Sequence, residues 1–281
     1  MTKAECIITP SNKTRKYLKY KCKIKSKPIY VVPTGIDISP FNPDNFTKEE
    51  KQSIRKKYGI KDDEKVVLFL GRIGEEKSID KVIDCMPELF KLVPKAKFVI
   101  VGDGPAKEGL VEQVKRLNIE DKIIFTGSVP WDKTPLYYTL GDVFVNASLS
   151  ETQGLTFIEA MASRLPVVAK YAPNISEFIH TNENGILVKN DKDFAKTIAN
   201  VLTNNNLREK LIKNGTVTAI QNSSEVFGDK LVEIYSHIIE SYKIKKSEGT
   251  KKDKMRFVKS TIFALNRKLY NITRLNKKKK G

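Results

Sequence analysis

Two carboxylates eight positions apart, Glu151 and Glu159, flank a glycine in the segment SLSETQGLTFIEAMAS. Glu151 belongs to a polar stretch, whereas Glu159 lies in LTFIEAMA, a run otherwise almost wholly apolar. An acid in such a run costs folding free energy unless a fixed partner meets it. A buried basic neighbour would serve, and so would a ribose diol, whose two hydroxyls one carboxylate can accept together. Gly154, Leu155 and Thr156 open the predicted helix that carries Glu159, and the free N–H groups at a helix start attract phosphate. Gly154, without a side chain, allows close approach. A second set of charges stands upstream in GRIGEEKS, where Arg72 and Lys77 follow Gly71. The planar fork of an arginine and the compact charge of a lysine can together hold a pyrophosphate and stabilise negative charge growing on it. Taken alone, the two also read as solvated loop cations.

These groups need a scaffold that brings distant segments together. Residues 31–220 alternate short apolar runs with amphipathic ones. Strands are predicted at 66–70, 97–101, 122–126, 142–146, 166–170 and 185–189. Helices are predicted near 78–92, 106–117, 133–140, 155–164, 191–203, 207–215 and 224–242. This is the α/β pattern of a parallel sheet with helices on both faces, which binds ligands beyond the carboxyl ends of its strands. Arg72 and Lys77 directly follow the first strand, and Glu151 follows the fourth. VGDGP at 101–105 also follows a strand and opens a helix, but Lys107 stands where a dinucleotide-binding GxGxxG has its third glycine. A tight turn lining the cleft fits it better than an NAD or FAD site.

The net charge of +18 is concentrated at the ends, +8 over residues 1–30 and +13 over 243–281, leaving −3 between them. A nucleic-acid-binding core would carry its basic excess on the folded surface and show interleaved aromatics, so no nucleic-acid partner is expected. Cys6, Cys22 and Cys85 lack any CxxC spacing, which excludes a disulfide framework and a zinc ribbon and points to a reducing compartment. His180 and His237 are isolated, so no metal site is expected. The start MTKAECIITP has no apolar signal core, and no apolar stretch approaches the ~20 residues of a spanning helix. From 255 to 272 the residues Met255, Val258, Ile262, Leu265, Leu269 and Ile272 recur at helical spacing among Arg256, Lys259, Arg267 and Lys268. That pattern predicts a basic amphipathic C-terminal helix, for an anionic membrane surface or for a partner domain.

The spaced glutamates, the Arg72 and Lys77 pair, VVPTGID at 31–37, VGDGP and FTGSVP at 125–130 occur in the order and spacing of the family-four retaining glycosyltransferases, which this chain resembles from about residue 5 to residue 240. The resemblance implies the Rossmann-like C-terminal, donor-binding half of a GT-B fold, in which 1–35 is a remnant of the acceptor domain with its linker, 36–242 the nucleotide-sugar domain and 243–281 a basic tail. It implies that Gly71, Arg72 and Lys77 hold the donor diphosphate beside Gly154, Leu155 and Thr156. Glu159 would take the ribose, Glu151 the hydroxyls of the transferred sugar, and Gly127, Val129 and Pro130 the base. Glu151, Arg72 and Lys77 are the expected catalytic residues, and no cofactor is expected. Two segments depart from the commonest family form: Gln153 stands where an aromatic residue is usual, and AKYAPNISEFI replaces a glycine pair before Glu177. TQGLTFIEAMAS with LPVVAKY is similar to bacterial diacylglycerol glucosyltransferases, which implies UDP-glucose as donor, a lipid or glycan acceptor, and work at the cytoplasmic face of the cell membrane. A lone donor half is expected to bind substrate with little transfer, since transfer needs both reactants held in place and water excluded. Two uses of it stand side by side: a truncated enzyme, or a non-catalytic subunit that meets a separate acceptor-domain chain.

Overall fold

The basic N-terminal stretch, where the resemblance implies only a last strand and linker, holds two strands. In the computed structural model, which describes residues 4–148, 151 and 154–247, β1 (Ile7–Thr9) pairs in parallel with β2 (Ile29–Val31). Between them runs α1 (Asn12–Lys16), whose first turn is capped by the Ser11 hydroxyl accepting from Thr14 N–H. A further helix absent from the sequence reading, α2 (Lys48–Lys57), starts at a capping box in which Thr47 and Glu50 bond each other's backbone N–H groups.

All six predicted strands are present: β3 (Lys65–Leu70), β4 (Ala96–Val101), β5 (Ile123–Gly127), β6 (Val143–Asn146), β7 (Val167–Lys170) and β8 (Ile186–Val188). They form one sheet in the order β5-β4-β3-β6-β7-β8 with every neighbouring pair parallel. Strands buried on both faces need apolar residues at every position. In β3, Val67 and Phe69 enter one core while Val66, Leu68 and Leu70 enter the other. The first core is closed by α3 (Ile79–Leu92), α4 (Lys107–Arg116) and α7 (Phe194–Thr203). The second is closed by α2, α5 (Thr134–Tyr138), α6 (Leu155–Ala162) and α8 (Asn205–Gln221).

Helix α8 outruns its predicted end at 215. Asn214-Gly215, a pair suited to stopping a helix, is carried through because Gly215 is buried, and a Cβ there would lie 3.2 Å from Met161 of α6. The chain then turns at Ser223, where Ser224 N–H donates to Ile36 O, into α9 (Ser224–Ser247). Contacts divide the chain into two units between Lys230 and Leu231. The described part of the second unit is the remainder of α9. The basic helix predicted at 255–272 lies outside the described residues. Among the described residues no helix is long and apolar enough to cross a membrane.

The loops at the carboxyl end of the sheet are braced backbone to backbone. Gly71 N–H donates to Val101 O, Ile73 N–H to Asp103 O, and Gly102 N–H to Gly127 O. Gly102, at φ +136°, passes so close that a Cβ would lie 1.9 Å from Gly71 O. VGDGP is therefore a structural crossing between the loops after β3 and β5. Gly102→Ala is expected to destabilise the chain by well over ~2 kcal/mol, because backbone meets backbone there on top of the cost of its positive φ. Gly59→Ala, at φ +65° with nothing within 4 Å, should cost only the ~1–2 kcal/mol of a left-handed residue. Urea unfolding of the two variants checks the difference.

Candidate functional site

Strand order reverses between β3 and β6: from β3 the chain winds out to β4 and β5, and from β6 to β7 and β8. Connections leaving the two central strands on opposite sides open a crevice at their carboxyl ends. The loop after β3 carries Gly71, Arg72 and Lys77, and the loop after β6 carries Ser148 and Glu151. Two bonds tie the loops together. Ser148 Oγ donates to Glu76 O at 2.9 Å, and Lys77 Nζ meets Glu151 Oε1 at 2.6 Å. The Lys77 and Glu151 side chains are 23% and 12% exposed, so the pair is largely withdrawn from water.

Arg72 does not share that contact. Its guanidinium bonds Glu76 Oε1 at 2.6 Å and its side chain is 63% exposed. The Arg72 and Lys77 pair of the sequence thus resolves into two ion pairs with different acids.

Glu151 leads to α6, whose cap residue Gly154 has φ +60°. A Cβ on Gly154 would meet Phe157 Cδ2 at 2.4 Å and Phe178 Cζ at 2.9 Å. The glycine is required by its backbone conformation and by this aromatic packing, besides any close approach of a ligand. The cap gives the helix no side-chain acceptor, and no acid stands in the first turn. Leu155 and Thr156 therefore begin a helix whose positive end is not neutralised by its own sequence.

Glu159 has the fixed partner that its apolar surroundings demand, and it is neither of the two weighed from sequence. The Tyr138 hydroxyl donates to Glu159 Oε2 at 2.7 Å. Burial pushes the Glu159 carboxyl above the usual carboxylate range, and the Tyr138 bond opposes that push. The Tyr138 hydroxyl is itself driven well above its ordinary value, first by burial and then by the Glu159 charge.

The third segment closes β5. Gly127, at φ +75°, accepts from Gly102 N–H; Val129 packs against the second core, and Pro130 leads into the turn Trp131–Lys133. Two strand spacings of ~4.8 Å separate β5 from β3, so Gly127–Pro130 stands ~10 Å along the sheet edge from the Arg72 and Lys77 loop. That is the scale of a nucleoside diphosphate. A cavity of about 140 Å³ borders the same helix, lined by Leu155 and Ile158 of α6 together with Asn174, Glu177, Asn12 and Pro33. Of the predicted donor-binding residues Leu155 lines it, whereas Arg72, Lys77, Glu151, Glu159 and Gly127–Pro130 do not.

Asn146, Ser148 and Tyr138 are the residues of the site that sequence reading missed. Asn146 Oδ1 accepts from Ser148 N–H at 2.7 Å, and both residues are buried. Their signal was two polar residues at the end of an apolar strand, a pattern that starts Asx turns. Among the described residues no group of His, Cys, Asp and Glu could hold a metal ion.

A sequence model of the family described as "Glycosyl transferases group 1" matches residues 50–218. The alpha-monoglucosyldiacylglycerol synthase of Streptococcus pneumoniae is 36% identical over 247 residues, which cover 85% of this chain and 54% of that protein. The alpha-monoglucosyldiacylglycerol synthase of Acholeplasma laidlawii is 32% identical over 75% of this chain and 53% of its own length. The chain thus spans about half the length of the curated relatives it matches. Among solved structures, a glycosyltransferase from Rickettsia africae superposes with a TM-score of 0.73 at 24% identity over 84% of this chain and 64% of that one. Anabaena HepE in complex with UDP-glucose gives a TM-score of 0.71 at 21% identity over 83% and 64%. These two likenesses concern the fold.

Glu159→Gln is expected to stabilise the fold at neutral pH. A carboxyl whose pKa is raised on folding takes up protons in the folded state, so its cost is full above the raised value and vanishes below the ordinary value of 4.5. Thermal melts of native and variant chains should therefore diverge near pH 7 and converge as the pH falls through that window toward 4.

Proposed function

We propose, from the premise that this chain belongs to the group 1 glycosyltransferase family, that it is the donor-binding part of a retaining hexosyltransferase using UDP-glucose. The observation that carries the reading is the Lys77–Glu151 contact at the reversal of strand order, beside the unneutralised start of α6. A diphosphate lying there would take charge-assisted hydrogen bonds from Lys77, Arg72 and the N–H groups of Leu155 and Thr156. Glu151, three residues before Gly154, would accept hydroxyls of the hexose while keeping Lys77 in place. Glu159 would hold the ribose, and Gly127, Val129 and Pro130 the uracil. When the bond from the anomeric carbon to the diphosphate breaks, negative charge grows on the leaving oxygens, and Lys77 and Arg72 stabilise it. The acceptor hydroxyl then attacks from the face the diphosphate leaves, its proton passing to a leaving diphosphate oxygen, and the anomeric configuration is kept.

The acceptor in this reading is a membrane lipid or its glycan. It is supported by the names of the two curated relatives and by the basic ends of the chain, which suit the anionic cytoplasmic leaflet. Residues 36–242 serve as the nucleotide-sugar module, 1–35 as the last part of an acceptor domain with its linker, and 243–281 as a membrane-facing tail. Residues 1–281 bind donor with little transfer unless an acceptor-binding domain meets them. Transfer by the isolated chain at rates typical of such enzymes would overturn that last point.

Calorimetric titration with UDP-glucose, UDP-galactose and GDP-mannose tests the site and the donor together. UDP-glucose should bind tightest. Lys77→Ala should weaken it by roughly 10- to 100-fold, the worth of a hydrogen bond to a charged group, and should also lower the melting temperature by stranding Glu151. Arg72→Ala should weaken binding with little change in melting temperature, since its ion pair is exposed. Unchanged affinity in both variants would remove the assignment. In a separate measurement, the full chain should sediment with phosphatidylglycerol vesicles and much less with phosphatidylcholine vesicles, and ending the chain at residue 242 should abolish most of that difference.

A further inference from the structure

The described residue that fixes Glu159 has no part in the family motifs quoted above. Tyr138 sits at the end of α5 with no exposed surface, its ring edge-on to Phe41 at 5.6 Å and tilted against Phe144 at 5.9 Å between centroids. A phenol has one proton to donate. The 2.7 Å bond to Glu159 Oε2 is of full strength, whereas the 3.5 Å approach to Thr156 O is at the limit of a hydrogen bond. The proton therefore goes to Glu159. That donation engages Oε2 and leaves Oε1 without a hydrogen-bond partner among the described residues, so one edge of the carboxylate is held while the rest remains able to accept.

A polar pair of this kind is a poor way to fill a core. Two apolar side chains of the same shape would cost nothing in desolvation and often stabilise as much or more. The pair makes sense if the carboxylate has a task that needs both its charge and a fixed orientation. Resting on the reading that Glu159 takes the ribose, we propose that Tyr138 is a positioning residue for nucleoside recognition: its clamped ring holds the Glu159 carboxylate so that the 2′- and 3′-hydroxyls of the donor's ribose are accepted together. Tyr138 touches no substrate atom in this arrangement. It acts through Glu159.

The test compares the affinities of UDP and 2′,3′-dideoxy-UDP, measured by calorimetry on the full chain in native, Tyr138→Phe, Phe41→Leu and Glu159→Gln forms. The native chain should prefer UDP by about ten-fold or more, since two hydroxyls are given to a carboxylate. In Tyr138→Phe that preference should fall to about two-fold, with the affinity for 2′,3′-dideoxy-UDP close to native. Phe41→Leu, which loosens the ring's packing but keeps its hydroxyl, should lower the melting temperature and keep most of the preference. The ratio of two affinities belongs to the folded fraction, so a partly destabilised variant still answers the question. A Tyr138→Phe chain that keeps the native preference, or that loses both affinities in equal proportion, overturns the positioning role while leaving Glu159 in place. A native chain that does not discriminate between the two ligands, or a Glu159→Gln chain that discriminates as well as native, overturns the ribose reading on which the proposal rests.

Discussion

The contact between Lys77 and Glu151 is the constraint from which the candidate site follows. The two residues are 74 positions apart and sit on loops that leave neighbouring strands in opposite directions, yet their charged atoms are 2.6 Å apart. A largely buried ion pair is a weak source of stability, because each charge gives up its water to form it. The loops are held by other means: the Ser148 bond to Glu76 O from one side, and the Asn146 bond to Ser148 N–H beneath it. The pair reads as a charge arrangement that the fold maintains. Arg72–Glu76 is the contrasting case, an exposed pair within one loop that has little bearing on the fold.

The rigidity behind that arrangement lies in backbone crossings. Gly71 and Gly102 follow β3 and β4, Gly127 ends β5, and hydrogen bonds link all three segments. With 1.9 Å between the Gly71 oxygen and the place where a Gly102 Cβ would be, the first two turns cannot be separated by a side chain. The loop bearing Lys77 is therefore referenced to the same frame as the segment at Gly127–Pro130, although 50 residues separate Lys77 from Gly127. Motifs that look unrelated along the chain become one edge because the strands preceding them are adjacent.

The sheet was legible in the sequence because its strands are short apolar runs bounded by Gly, Pro or Asp, and burial on both faces demands such runs. What escaped were elements whose reason is local or tertiary. Helix α2 is polar on most of its surface, with Ile54 its one buried residue, so it lacks apolar periodicity and declares itself only through Thr47 and Glu50. The length of α8 depends on Gly215 meeting Met161, a contact no pattern within α8 contains. At the site, Glu159 could be recognised as an acid needing a partner, but its partner could not be named. Tyr138 is 21 residues away on another helix, and a tyrosine in YYTL reads as core until the fold brings its hydroxyl to the carboxylate.

Glu159 shows a balance between burial and exposure. A carboxyl driven above its ordinary range by burial is a cost in the folded chain at neutral pH, and Tyr138 offsets only part of it. In the proposed role, deeper burial would protonate the acid and end its use as an acceptor, whereas full exposure would let water compete for the ribose hydroxyls. The position one turn inside α6, half-buried and bonded to Tyr138, lies between these limits. Lys77 and Glu151 are likewise largely withdrawn from water and paired with each other. Ionised groups can be kept at the edge of a sheet only where the fold supplies a partner for each, and the partners here come from α5 and from the opposite loop. A ligand that spans this edge thus meets charges whose positions were set by folding, which lowers the ordering cost of binding it.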